Sequence, residues 1–173
     1  ADMVKEWFPE AKTVGLLYCS AEANSQYQVD MVKSYLEALG LTCELYSFTD
    51  TNDVAAVTQV CAEASDVVYV PTDNTVASNM ELIHNICSPL ETPIIAGEEG
   101  TCKIGGVATL SISYEELGQT TGEMAYEVLV KGADISAMPI QFAPSVTKKY
   151  NPTICEQMGL TPVEGYIAIE TAE

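Results

Sequence analysis

Three short segments hold most of the side chains that could do chemistry: Ser20–Ser25 (SAEANS), Pro71–Ser78 (PTDNTVAS) and Gly97–Gly100 (GEEG). Each follows an apolar run that reads as a strand, and each is rich in hydroxyl, amide and carboxylate groups. Taken singly, Ser25 or Asn74 is an ordinary helix cap. Capping does not explain why Asp73, Glu98 and Glu99 crowd toward one edge, where repulsion disfavours them unless a cation or solvent intervenes. The free N–H groups of helix starts beside them offer an anion site. Donors next to carboxylates suit a zwitterion, and a free amino acid is the simplest one. On this reading Asp73 meets the ligand ammonium.

Covalent chemistry finds little support. The chain has no G-x-S-x-G elbow and no glycine-rich phosphate cradle, and its one histidine, His84, falls mid-helix away from the three loops. Asp73 stands where a phospho-receiver domain keeps its acceptor, but that fold also needs an acidic pair after the first strand. Tyr18-Cys19-Ser20 occupies that place. A flavodoxin would set its phosphate loop at SAEANS, a generic match only. The six cysteines form no C-x-x-C pair, so neither a metal nor a cofactor is expected. Cys19, Cys43, Cys61 and Cys87 lie in hydrophobic stretches and read as buried thiols. Cys102, in a Gly-rich segment, is the expected exposed thiol. Among the tyrosines only Tyr18, at a strand end, is placed to approach a ligand.

The elements that must position these loops alternate. Thr13–Cys19, Thr42–Phe48, Asp66–Val70 and Thr92–Ala96 read as strands, with Gly105–Leu110 as a fifth. Helices are predicted over Ser25–Leu39, where Ser25 and Gln28 resemble a capping box, over Asp53–Ala64 and over Asn74–Cys87. This order predicts an α/β fold with a doubly wound parallel sheet. Ser113–Lys131 is the best-marked helix, with a Ser113/Glu116 capping box and an apolar face of Leu117, Thr121, Met124, Val128 and Leu129. Pro139–Phe142 and Tyr166–Ile169 read as short strands around a helix opened by Asn151-Pro152 and closed by Gly159.

Composition bounds the partners. The 173 residues include 25 acids and 7 bases, a net charge of −18, and all the bases are lysines. A surface this acidic, without arginine, disfavours nucleic acid. The 47% hydrophobic content is too high for a disordered acidic tail and suffices for one domain with a real core. No apolar run approaches the ~20 residues of a spanning helix. Ala1–Phe8 (ADMVKEWF) opens directly on helical spacing, which is expected of a segment of a longer protein.

The strings AKTVGLLYCSAEANS, VVYVPTDNTVAS and TPIIAGEEG, followed by VATLSISYEELGQTTGEMAYEVL, resemble the ABC-transporter substrate-binding proteins that include tryptophan- and tyrosine-binding lipoproteins. The resemblance runs from about Val4 to the tail. It implies one lobe of a two-lobed, type I periplasmic-binding-protein-like clamp. Residues 1–110 would form the second lobe, 111–135 would return to a first lobe upstream, and 136–173 would cross back and form the tail. It further implies that Ser20, Glu22, Asn24, Ser25, Thr72, Asp73, Asn74 and Glu98 lie on the cleft face. Function by resemblance is non-enzymatic capture of a small zwitterionic ligand, an amino acid with aromatic ones as candidates, for a membrane permease by an extracytoplasmic lipoprotein. The alternatives are a sensor domain of a transcription regulator or receptor, and a flavodoxin-like enzyme. Without a first lobe, the apolar face of Ser113–Lys131 should pair two copies of the chain.

Overall fold

The computed structural model describes residues 1–170. Helix α1 (Asp2–Trp7) buries Met3, Val4 and Trp7, the side its spacing predicts. Strand β1 (Thr13–Cys19) is buried from Val14 to Cys19, as a continuous apolar run requires when helices cover both sheet faces. The chain continues through α2 (Ala23–Ala38), the edge strand β2 (Thr42–Phe48), α3 (Val54–Ala64) and β3 (Val67–Val70). It then forms α4 (Asn74–Ser78), α5 (Met80–Cys87), β4 (Ile94–Ala96), α6 (Glu99–Gly105) and β5 (Ala108–Ile112). Helix α7 (Tyr114–Leu129) leaves this body, and β6 (Val146–Tyr150), α8 (Pro152–Gln157) and β7 (Ile167–Ala168) return to it.

The seven strands form one sheet in the order β2-β1-β3-β4-β5-β6-β7. Every neighbouring pair is parallel except β5 and β6, which run antiparallel. Val4, Val29, Leu36 and Ile154, from α1, α2 and α8, pack on one face. Val54, Met80, Ile83 and Cys102, from α3, α5 and α6, pack on the other. This is the expected doubly wound α/β architecture. Its parallel strands end at a common edge, where the three polar loops sit.

Local readings differ at several places. The predicted helix 74–87 is two helices, because Asn79 donates its side-chain amide to the Thr75 carbonyl (2.7 Å) and ends the first. No Ser25/Gln28 capping box forms, since α2 starts two residues earlier. Cys102 is fully buried, because its segment is helix α6 and not a loop. Tyr18 is also buried, under the first core face. Pro139–Phe142 is not a strand; Ile140 and Phe142 are more than four-fifths exposed, and the returning strand is β6. That strand escapes the pattern because VTKKY shows little apolar alternation and its partner lies far back in sequence.

Strand β6 is fastened on both faces. Lys148 pairs with Glu6 (2.6 Å), which also accepts from the Tyr166 hydroxyl (2.5 Å). Lys149 pairs with Glu99 (2.6 Å), which also accepts from the Ser111 hydroxyl (2.8 Å). Beyond the strand pair, α7 buries none of its side chains.

Candidate functional site

The loops after β1, β3 and β4 are wired chiefly to one another. Glu22 occupies the N-cap position of α2, yet its carboxylate does not cap that helix. It reaches α4 instead. One oxygen accepts from the amide and side-chain nitrogens of Asn74 (3.0 Å each), the other from the amide and hydroxyl of Thr75 (2.9 Å each). Burial alone would raise the Glu22 pKa, but these four donors outweigh it and hold the carboxyl down at about 2.

Asp73 is 3% exposed. One of its oxygens accepts from the Val76 amide, capping α4, and the other from the Cys19 amide at the end of β1 (2.8 Å each). Glu98 accepts from the amides of Gly100 (2.7 Å) and Thr101 and from the Thr101 hydroxyl, so it caps α6. Glu99 points to β6, where the Lys149 ammonium holds its carboxyl below the usual range. Donors therefore relieve the repulsion that the sequence implies, and each carboxylate already has a structural duty.

The neutral groups are freer. Ser20 is exposed, its hydroxyl donating to the Phe48 carbonyl (3.2 Å). Asn24 is exposed and donates its side-chain nitrogen to the Thr72 carbonyl (2.9 Å). Asn74 is exposed beside the Glu22 carboxylate, and the Thr72 hydroxyl donates to the Gly97 carbonyl (3.3 Å). Ser25 lies apart from them: it is fully buried on the core side of α2, its hydroxyl without a partner among the described residues. Spacing alone does not single out Gln28, whose carboxamide accepts from the Thr72 amide (3.0 Å) and donates to its carbonyl (3.4 Å). Only the fold brings Gln28 to Thr72, 44 residues on.

Helix starts at this edge are not equivalent. Those of α4 and α6 are filled by the chain's own carboxylates. The starts of α2 and α3 have no side-chain cap, and at the 16-residue α2, beside the three loops, the Ala23 and Asn24 amides meet no acceptor among the described residues. A long helix with open amides attracts an anion.

His84 packs beside Gly105 on α5, away from the loops. All six thiols are buried and free, and burial pushes Cys61 and Cys87 up to about 12. Among the described residues no group of His, Cys, Asp and Glu is placed to hold a metal.

Residues 1–171 match the family model described as ABC transporter substrate binding protein. The chain belongs to this family. It is 34% identical over 139 residues to a tyrosine-binding protein of Clostridioides difficile, covering 80% of this chain and 40% of that protein. Among solved family structures, the ligand-free, open form of a Clostridium difficile substrate-binding protein with adhesive properties matches at 34% identity, TM-score 0.79, over 99% of this chain. A Streptococcus pneumonia ABC domain in complex with L-Trp matches at 32% identity, TM-score 0.88, over 97%. The chain spans 58% of each solved relative.

Proposed function

We propose that this chain is the ligand-gripping second lobe of an ABC-importer binding protein. The complete protein captures a free aromatic amino acid between two lobes and hands it to a membrane permease. The observation that carries the reading is the inequality of the helix starts. The open start of α2, with Ser20 and Asn24 beside it, takes the ligand carboxylate. The negative field of Glu22, Asp73 and Glu98 favours its ammonium. The Thr72–Asn74 loop flanks the ligand. An aromatic side chain is supported by relatives described as tyrosine-binding and as bound to L-Trp.

The segment from α7 to Phe142 fits the same reading. Met124, Val128 and Leu129 on α7, with Ile135, Met138 and Ile140, line an apolar groove of 550 Å³. An upstream first lobe covers this groove in the complete protein, and a second copy covers it in the 173-residue chain. Lipid anchoring outside the cytoplasm follows from the resemblance.

Thermal shift on the protein with its upstream lobe, against the twenty amino acids, tests the function. L-Trp or L-Tyr should raise Tm by mass action. No shift with any of them at millimolar concentration contradicts it.

A further inference from the structure

The peptide groups of Thr72 are unusual within their loop. Strand β3 ends at Val70, and Pro71 has no N–H to continue a ladder. Among the described residues neither the amide nor the carbonyl of Thr72 bonds to another backbone group. Both are served from α2. Gln28 accepts from the amide (3.0 Å) and donates to the carbonyl (3.4 Å), and Asn24 donates to the same carbonyl (2.9 Å). The Gln28 carboxamide thus does for Thr72 what a neighbouring strand would do. From the other side Gly97 closes in, so tightly that a Cβ there would lie 2.7 Å from the Pro71 carbonyl carbon and the Thr72 nitrogen. Thr72 is the point where all three loops are fastened.

We infer that Gln28 is a positioning residue of the solute cleft: it fixes the Thr72 peptide and so presents Thr72 and Asn74 to the ligand. The inference rests on the solute-binding reading. Its physical content is a separation of affinity from stability. Thr72 and Gln28 are only half-buried, so water can replace the lost bonds at small cost to the fold. Water does not hold the loop in one place, and binding depends on that placement. Asp73 differs, because its partners are the deeply placed Cys19 and Val76 amides and its loss strikes the fold first.

The test uses the complete protein with Gln28→Met, which keeps the length and removes both bonds. Its companion is Gln28→Glu, which keeps the acceptor for the Thr72 amide. Three quantities are read: L-Trp affinity by calorimetry, Tm, and hydrogen exchange at the Thr72 amide. Gln28→Met should weaken L-Trp by about tenfold, leave Tm nearly unchanged and speed exchange at Thr72. Gln28→Glu should recover part of the affinity and of the protection. Affinity retained by Gln28→Met overturns the inference, as does a fall in Tm that accounts for the affinity lost. If the wild type binds neither L-Trp nor any other amino acid, the solute-binding reading has failed, and exchange alone decides. Faster exchange with unchanged Tm then shows that Gln28 holds the Thr72 peptide but presents it to no solute, which overturns the cleft role, and unchanged exchange overturns the hold on Thr72 as well.

Discussion

The sheet body and the α7 segment use their side chains in opposite ways. From β1 to β5, Leu16, Val54, Val68, Met80 and Ile83 are sealed in two cores, and the polar side chains at the carboxyl edge are bonded across loops. In α7 nothing is buried, and Leu129 on that helix, with Ile140 and Phe142 beyond it, is more than four-fifths exposed. One region is complete in itself, and its open valences are few and polar. The other leaves large apolar side chains exposed, the kind of surface that marks an interaction site. The proposed grip on a small solute would draw on the first kind of surface, and the proposed docking of a second body on the other.

Substitutions sharpen the contrast. Asp73→Ala leaves the Cys19 and Val76 amides without their acceptor, and should cost about 3 kcal/mol of unfolding free energy in urea melts. An unchanged melt returns Asp73 to the role the sequence implies, a ligand contact. Gly97→Ala drives a Cβ into the Pro71–Thr72 backbone and should cost about 1–3 kcal/mol by overpacking. A neutral result shows that the two loops can separate freely.

Glu22→Gln acts through pH. The wild-type carboxyl sits at about 2 against an ordinary 4.5, so its contribution is complete above pH 4.5 and is lost as pH falls toward 2. The substitution should lower Tm at pH 7 and bring the variant and wild type together near pH 2. A constant gap across that range refutes the role. Leu129→Ser should change stability by only about 0.5 kcal/mol, yet convert the 173-residue chain from dimer to monomer in light scattering. A wild-type chain that is already monomeric refutes the pairing of two copies through α7.

The sheet was legible because its strands are continuous apolar runs ended by Ser, Pro or Gly, and the loops after them carry their own polar signature. The duties of the carboxylates were not. Glu22 caps a helix that begins 52 residues later, and Asp73 bonds the end of a strand 54 residues earlier. No local spacing encodes such pairings, so the structural partners of Glu22 and Asp73 emerge only with the fold. Gln28 was hidden for the same reason. Near in sequence to Ser25, it resembles half of a capping box, whereas its partner is Thr72.

The proposed site seats the ligand carboxylate on the open start of α2. Calorimetry with the complete protein decides it, comparing L-Trp with tryptamine, which keeps the indole and ammonium but lacks the carboxylate. L-Trp should bind, and tryptamine should be weaker by about a hundredfold, the worth of a charge-assisted pair at a helix start. Equal affinity for the two would contradict it.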